Sequence, residues 1–207
     1  MFITLEGPEG SGKTSQMPLL AEYLSQQGYS VLTTREPGGT QISNQVRQVL
    51  MSMENKAMYP RTEVLLFLSA RAQLVEEVIR PHLLAGDVIL SDRYGDSTLA
   101  YQGYGHGMEL DTLRRLLDFT TGRLYPDLTL LLDVDVETGL HRRRSSGGEW
   151  NRLDDYAVEF HQRVRNGYLE LARQEPQRWV WVDANRSTEQ VQADLRHIVL
   201  ERLTTFK

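Results

Sequence analysis

The sequence contains no cysteine, and it has few of the features that mark secreted, membrane or nucleic-acid-binding proteins. Without cysteine it can form neither a disulfide framework nor a thiolate metal site. No uncharged apolar stretch approaches the ~20 residues that a membrane span requires. The N-terminus lacks a basic segment followed by an apolar one, which argues against a signal peptide. We therefore expect a cytoplasmic protein.

An excess of basic charge is also missing, because 23 Lys and Arg residues stand against 28 Asp and Glu residues. Proteins that bind nucleic acid or membrane surfaces usually carry a basic excess, so we expect neither partner. The sequence shows no internal repeat and no low-complexity linker. Its 207 residues suit one α/β domain, and we predict a single domain over residues 1–207.

Apolar runs alternate with helical patterns along the chain, and this order favours parallel βα units. The apolar runs predict strands at residues 2–6, 31–34, 88–90, 128–134 and 179–182. The segments between them predict helices at residues 13–27, 41–53, 62–84, 110–121, 136–144, 154–174 and 187–203, with an end or kink near Arg80 because Pro81 follows. The pattern predicts an α/β fold with a doubly wound, five-stranded parallel sheet and ligands at the carboxyl ends of its strands.

The segment GPEGSGKT follows the first predicted strand and opens the first predicted helix. It matches the spacing G-x-x-x-x-G-K-[ST], in which backbone N–H groups surround the phosphates of a nucleotide. Lys13 is expected to reach the terminal phosphates and Thr14 to hold Mg²⁺. A glycine-rich turn without a ligand is the alternative, but the position between strand and helix favours a phosphate loop. The predicted ATP-binding residues are Gly7, Pro8, Glu9, Gly10, Ser11, Gly12, Lys13 and Thr14.

Arginines in two later segments indicate phosphoryl transfer, and the lack of an N-K-x-D stretch argues against a GTPase. In SDRYGDS, Asp92 is expected to join a Mg²⁺–water shell and Arg93 to bind phosphate with its planar fork. A salt bridge that closes the strand end is the alternative. The segment HRRRSSGGEWNRLDD, residues 141–155, joins a basic helix to a Gly/Ser loop. We predict a lid at about residues 142–154 that closes over phosphates, against the alternative of a solvated charge run.

A third set of residues has the chemistry to hold a nucleotide base. Phe67 and Arg71 lie four residues apart, on one helical face, so a ring could stack on a base while a guanidinium donates to its exocyclic oxygen. By spacing alone, a core phenylalanine with a surface arginine is favoured. Thr98, Tyr101 and Gln102 also share a helical face, and a buried face would carry three polar groups only against a polar neighbour.

The turn-rich segment REPGGT follows the second predicted strand and offers cations for an acceptor's phosphate. Either Arg35 or the nearby Arg47 is expected to hold that phosphate. The bond before Pro37 is a candidate for a cis peptide. If the acceptor were a deoxynucleoside, a base would be needed near its free 5′-hydroxyl, and Glu36 is the candidate.

Together these residues resemble the bacterial thymidylate kinases, in which GPEGSGKT, TREPGGT, the Phe67/Arg71 pair, SDRY…STLAYQG, YPDLTLLLDV and NRLDDY occur in the same order. The resemblance extends from Phe2 to about Ala184. It implies a P-loop fold of the nucleoside-monophosphate-kinase type. It also implies transfer of phosphate from ATP to dTMP with Mg²⁺, in a homodimer.

The resemblance implies roles for single residues as well. Glu9 matches the carboxylate near the acceptor's 3′-hydroxyl, and Tyr101 matches the ring that disfavours a ribose. Phe67 matches the ring stacked on thymine, and Arg71 matches the donor to a thymine carbonyl. The remaining matches are Thr98 and Gln102 for the base, Arg47 and Arg93 for phosphate, and Lys13 with lid arginines for charge neutralisation during transfer.

Members of the family resembled differ in whether the catalytic arginine comes from the phosphate loop or from the lid. Gly10 stands where some relatives carry an arginine in the phosphate loop, so the resemblance implies a lid arginine here. Arg144 and Arg152 are the candidates. The sequence departs from the family pattern in carrying Asp154 where many relatives have glutamate, and in a slightly long lid around Gly147 and Gly148. The alternatives to dTMP kinase activity are a kinase for another monophosphate or a deoxynucleoside, and a module that senses ATP without turnover.

Overall fold

The computed structural model describes residues 1–147 and 150–205. Within these ranges five strands form one all-parallel sheet in the order β2-β3-β1-β4-β5. The strands are β1 (Phe2–Glu6), β2 (Val31–Arg35), β3 (Val88–Asp92), β4 (Leu128–Asp133) and β5 (Trp179–Asp183). The predicted five-stranded parallel sheet is confirmed, with strand ends that differ from the predicted ones by one or two residues.

The described residues between the strands are mostly helical. The α-helices are α1 (Lys13–Gln26), α2 (Gln41–Met51), α3 (Pro60–Leu74), α4 (Arg80–Leu84), α5 (Gly95–Thr98), α6 (Leu110–Thr121), α7 (Val136–Ser145), α8 (Val158–Gln174) and α9 (Thr188–Thr205). A 3₁₀ turn spans Met53–Asn55, and π-helical segments span Val75–Ile79 and Leu99–Gly105. No helix in this part of the chain is long and apolar enough to cross a membrane.

The sheet is covered on both faces, which explains the nearly continuous apolar sequence of its middle strands. Every residue of β1 and β4 is buried. A strand buried on both faces needs apolar side chains at successive positions, in contrast to the alternation of a half-exposed strand. One cluster packs α1 and α9 against the sheet, through Leu20, Leu24, Leu195 and Val199. Another includes α3, α6 and α8, through Val64, Leu68, Leu113, Val164 and Leu171.

Two predicted helices differ from those in the structure. The helix predicted over residues 62–84 is divided by the π-helical segment Val75–Ile79, which comes just before Pro81, a residue without an N–H for the helix. The helix predicted from Asp154 starts only at Val158. Residues before it form turns, because the Asp154 carboxylate is engaged by Arg143 and Asn151.

The topology brings the predicted site to one edge of the sheet. β1 lies between β3 and β4, so the chain after β1 emerges where the neighbouring strands lead to different sides. In open parallel sheets a crevice forms at the carboxyl ends of the strands at such a point. The phosphate loop follows β1 there, and Asp92 ends β3 beside it.

Candidate active site

The phosphate loop lies between the end of β1 and the start of α1 and rests on the backbone of α7. A Cβ added at Gly10 would lie 1.9 Å from the Gly139 carbonyl oxygen, so that position accepts only glycine in this arrangement. Gly12 has a φ of +94° and directly precedes α1. The first N–H groups of a helix lack partners within the helix and favour anions. The strand–loop–helix context predicted for the motif is present.

Lys13 is buried and held by the loop itself. Its Nζ donates to the carbonyl oxygens of Gly7 and Pro8, each at 2.9 Å, and to the Ser11 hydroxyl at 3.0 Å. Burial lowers the pKa of Lys13 to about 8, and the positive charge of Arg93 acts in the same direction. The partners that hold this ammonium are neutral oxygens. An incoming phosphate is therefore a stronger partner than any it has.

Thr14 and Asp92 form a pair of hard oxygen ligands at the mouth of the loop. The Thr14 hydroxyl is exposed and donates to Asp92 Oδ2 at 2.9 Å. Mg²⁺ prefers such oxygens and keeps several waters or phosphate oxygens in its shell. No group of three or more His, Cys, Asp or Glu residues in the described part of the chain is arranged to hold a metal. The pair fits Mg²⁺ that arrives with a nucleotide.

A cavity of about 780 Å³ extends from the phosphate loop to the acceptor residues predicted from the sequence. This volume lies within the range of small-molecule sites. The predicted residues that line it are Arg47, Phe67, Arg93, Thr98, Tyr101 and Gln102, together with Glu9–Thr14 and Asp92. Residues from β3, α3, the phosphate loop and the segment Leu99–Gly105 therefore meet in one space.

Arg93 forms the centre of this cavity. Its φ of +74° is unusual for a residue with a side chain, and it points the guanidinium back to the phosphate loop. Nη2 donates to Glu9 Oε1 at 2.8 Å and to the Tyr101 hydroxyl at 3.0 Å, and Nη1 donates to the Gly7 carbonyl at 3.2 Å. Although burial alone raises the pKa of Glu9, the charges of Arg93 and Lys13 lower it to about 2. Glu9 is therefore a fixed anion beside two cations.

A carboxylate that the sequence analysis missed lies directly behind Arg93. Glu6 is buried at the end of β1 and accepts hydrogen bonds from Tyr94 N at 2.8 Å, Ser97 Oγ at 2.7 Å and Tyr168 OH at 2.9 Å. The Tyr168 hydroxyl in turn accepts from Arg93 Nη1 at 2.9 Å. Burial raises the pKa of Glu6 to about 7, and the charge of Asp96 adds to this. One signal was available, namely an acidic residue in an otherwise apolar strand.

Arg71 is almost fully buried, which rules out the surface arginine that its spacing alone favoured. Its Nε donates to Glu36 Oε2 at 2.7 Å, Nη1 to Thr98 Oγ1 at 2.9 Å and Nη2 to the Tyr94 carbonyl at 3.0 Å. Phe67 and Thr98 line the cavity beside it, whereas Arg71 lies behind that wall. Glu36 thus serves as the ion-pair partner of Arg71.

Two arginines after β2 supply positive charge for a phosphate. Arg47 and Arg35 both line the cavity, and Arg47 Nη1 donates to the Pro37 carbonyl at 2.9 Å. Burial lowers the pKa of Arg47, and the nearby charge of Arg35 lowers it further. An anion between them would relieve this repulsion. The Glu36–Pro37 peptide is cis, as its sequence allowed.

The lid differs most from its prediction, because neither Arg144 nor Arg152 lines the cavity. The Arg144 guanidinium lies 5.2 Å from the centre of the Trp150 ring. Arg152 is buried, donates from Nε to the Leu50 carbonyl at 2.9 Å and pairs with Glu63 at 2.6 Å. Gly147 is described and Gly148 lies outside the described residues.

Arg142 and Arg143, which the sequence analysis did not single out, line the cavity in their place. Arg142 Nη1 donates to the Ala184 carbonyl at 2.7 Å, and Arg143 Nη2 pairs with Asp154 at 2.9 Å. Arg142, Arg143 and Arg144 are consecutive in α7, so they differ only in the direction in which each side chain leaves the helix. The sequence could have shown which of them faces the cavity only if the buried face of α7 had been known, since successive side chains point in different directions around a helix.

Phosphate-binding groups at one end of this cavity and a ring beside polar groups at the other define a class. The fold is that of P-loop kinases of the nucleoside-monophosphate-kinase type, with a five-stranded parallel sheet.

Comparison with known proteins narrows this class to one family. The sequence profile described as thymidylate kinase matches residues 5–195. The thymidylate kinase of Herpetosiphon aurantiacus is 47% identical, over 100% of this chain and 98% of the relative. That of Thermomicrobium roseum is 53% identical, over 92% and 90%. The crystal structure of thymidylate kinase from Ehrlichia chaffeensis is 34% identical, with a TM-score of 0.78 and coverage of 96% and 98%. The chain belongs to the thymidylate kinase family.

Proposed function

We propose that the protein transfers the γ-phosphate of ATP to dTMP and yields dTDP, on the route to dTTP for DNA synthesis. The observation that carries this proposal is the continuous cavity, which joins Lys13 at its donor end to Phe67 and Gln102 at its acceptor end. Glu9 and Arg93 lie between the two ends. Family membership supports the choice of substrates.

On the donor side, ATP would bind along Gly7–Thr14 with its phosphates on the backbone N–H groups of the loop. Lys13 would leave its carbonyl partners for the terminal phosphates. Thr14 and Asp92 would hold Mg²⁺. When bound, the ion neutralises charge on the phosphate oxygens and fixes their orientation.

On the acceptor side, thymine would stack on Phe67, with Thr98 and Gln102 at its polar edge. Arg71, which lies behind this wall and donates to Thr98, would have to shift to reach a thymine carbonyl. Glu9 would approach the 3′-hydroxyl, and Tyr101 would lie near the 2′ carbon, where it disfavours a ribose. The phosphate would lie between Arg47 and Arg93. Both side chains line the cavity.

The acceptor is already an anionic phosphate, so the transfer needs alignment and cations more than a general base. Lys13 and Arg93 would neutralise charge as the phosphoryl group moves. The single domain would close its lid, residues 142–154, over the phosphates and exclude water. Arg144 and Arg152 are predicted to act from this lid. In either case the guanidinium must leave its present contact with Trp150 or Glu63.

We also propose a homodimer, in a cytoplasmic location. Ile42 and Val49 lie one heptad apart on α2 and are about half exposed, and Leu65 on the adjacent α3 is 60% exposed. A second copy of the chain would cover these side chains. Light scattering during gel filtration should give twice the monomer mass. The variant Leu65→Glu should lower it, whereas an unchanged monomer mass for the natural chain would refute the dimer.

The central experiment measures ADP release from Mg-ATP after separate addition of dTMP, dUMP, UMP, CMP, AMP, GMP or thymidine. We expect rapid turnover with dTMP and slower turnover with dUMP. Turnover with thymidine instead would indicate a deoxynucleoside kinase, in which Glu36 would have to serve as the base although Arg71 already holds it. ATP binding without acceptor-dependent ADP release would indicate a nucleotide sensor.

A further inference from the structure

A buried carboxylate on α3 links the base-facing wall of the cavity to the lid. Glu63 is fully buried. Its Oε1 accepts from Gln102 Nε2 at 2.7 Å, and its Oε2 accepts from Tyr156 OH at 3.0 Å and pairs with Arg152 Nη2 at 2.6 Å. His106 Nε2 lies 3.3 Å from Oε1. Groups from two separate segments, residues 102–106 and 152–156, therefore converge on one carboxylate of α3.

The surroundings of Glu63 keep it ionised. Burial alone raises the pKa of a carboxyl group. Here the hydrogen bonds from His106 and Gln102, together with the charge of Arg152, outweigh burial and lower the pKa of Glu63 to about 2. An ionised carboxylate has only acceptors to offer.

This chemistry fixes the orientation of the Gln102 amide. The amide has an NH₂ group that donates and an oxygen that accepts, and only the NH₂ group is compatible with the carboxylate of Glu63. Gln102 and Phe67 both line the cavity. With one Nε2 hydrogen donated to Glu63, the amide is held with its NH₂ group toward Glu63, and Oε1 is the acceptor that it offers to a ligand.

We propose that Glu63 is a positioning residue for acceptor specificity, which holds the Gln102 amide so that Oε1 faces the base. The inference rests on the proposed dTMP kinase function and specifies one of its residues. Thymine and uracil carry a hydrogen at N3, which can donate to Oε1. Cytosine carries a lone pair at N3, which Oε1 repels. Glu63 would thus make the cavity select against cytosine without touching the substrate.

The test compares kcat/KM for dTMP, dUMP and dCMP in the natural protein and in Glu63→Gln. A glutamine at position 63 can offer either a donor or an acceptor, so the amide of Gln102 is no longer held in one orientation. We expect the dTMP to dCMP ratio of kcat/KM to fall about tenfold, the scale on which one mispaired hydrogen bond matters. The dTMP to dUMP ratio should stay unchanged, because both bases donate from N3.

Tyr156→Phe is the matched control. It removes a hydrogen bond to the other oxygen of Glu63 and leaves the carboxylate that faces Gln102. Both ratios should then match those of the natural protein. A purely structural role for Glu63 would lower kcat/KM for all three acceptors by one factor, and an unchanged dTMP to dCMP ratio in Glu63→Gln overturns the inference.

A second variant keeps the test decisive if Glu63→Gln does not fold. Glu63→Asp keeps a carboxylate beside Arg152, so no buried charge is left uncompensated, but its side chain is one methylene shorter and no longer reaches Gln102 Nε2. The same fall in the dTMP to dCMP ratio is expected there, and equal loss with both acceptors contradicts it. If the natural protein shows no turnover with dTMP, the proposed function fails. If it turns over dTMP but the ratio is unaffected in the variants, only the inference fails.

Discussion

The two ends of the cavity hold their polar side chains in different ways. At the donor end, Lys13 is bound by two backbone carbonyls and a hydroxyl, all neutral. At the acceptor end, two polar side chains are held by buried carboxylates. The pairs are Arg71 with Glu36, and Gln102 with Glu63.

Because of this difference, the donor end can rearrange around a phosphate, whereas the acceptor end can discriminate between bases. Neutral oxygens yield easily to a phosphate, because an anion attracts the Lys13 ammonium with its full charge, whereas a carbonyl offers only a dipole. Side chains bound to buried carboxylates keep one orientation before any substrate arrives, so a mismatched base finds the wrong donors and acceptors. The donor end is arranged to change on binding, and the acceptor end is arranged to stay as it is.

The largest expected effect is on kcat, and it concerns Arg93, which lies between the two ends of the cavity. Arg93→Ala should lower kcat by about 10²–10³, the usual loss when one preorganised charge-stabilising donor is removed. The far-ultraviolet circular dichroism spectrum should be unchanged. Single-turnover measurements with saturating ATP and dTMP give the rate of transfer directly, and activity within a few-fold of the natural protein would contradict the role of Arg93.

The next effect is on stability and belongs to the acceptor end. Arg71→Ala leaves Glu36 as an uncompensated buried charge and should lower the free energy of unfolding by about 3–5 kcal/mol. Lys56→Ala is the control, since it breaks an exposed ion pair with Asp155 whose side chains are 57% and 42% exposed. The control should cost no more than about 1 kcal/mol. Urea denaturation at pH 7 measures both, and similar losses would contradict the proposed difference between the pairs.

A smaller effect should appear in substrate binding. Phe67→Ala removes the ring expected to stack on thymine, an interaction of about 1–3 kcal/mol for base–aromatic stacking. The KM for dTMP should rise about tenfold or more, while the KM for ATP stays within a factor of about two. Steady-state kinetics with each substrate varied in turn give both values. An equal rise in both would indicate a folding defect.

The smallest expected effect is the uptake of part of a proton by Lys13 when ATP binds at the donor end. Free Lys13 has a pKa of about 8, so near pH 8 it is about half deprotonated, and bound phosphates raise that pKa again. ATP binding at pH 8 should therefore take up a fraction of a proton. Less should be taken up at pH 6.5, where Lys13 is already charged. Calorimetry in two buffers of different ionisation enthalpy measures this uptake, and Lys13→Met should abolish its rise toward pH 8.

The same shift has a defined sign for folding. A lysine whose pKa is lowered on folding binds fewer protons in the folded protein than in the unfolded chain, in the interval between about 8 and its ordinary value. Stability from this group accordingly rises with pH through that interval. The phosphate loop therefore destabilises the free protein at neutral pH, and ATP binding removes that cost.

The sequence predicted the fold well because the sheet is buried on both faces. β1 and β4 are mostly apolar runs of five and six residues, a length that favours buried strands over helices. Helix ends were harder where side chains compete with the helix. Asp154 carries hydrogen bonds to Arg143 and Asn151, and this delays the start of α8 to Val158.

The site was predictable where a motif fixes the spacing, and it was not where long-range contacts decide. The phosphate loop needs only local sequence. Glu36 and Glu63, by contrast, look like ordinary loop and first-turn acidic residues until the fold places an arginine or an amide against them. The partners of Glu63 lie 39 and 93 residues away along the chain. No periodicity in the sequence reports such a pairing.

The close contact between the phosphate loop and α7 has a consequence for the history of the family. A Cβ at Gly139 would lie 2.2 Å from the Glu9 carbonyl oxygen, just as a Cβ at Gly10 would collide with the Gly139 carbonyl. Neither position can gain a side chain while the backbone at the other position stays where it is. An alignment of homologues should therefore show positions 10 and 139 changing together. A relative with an arginine at position 10 must have the start of α7 in a different position. The segment that follows α7 must then start from a different position as well.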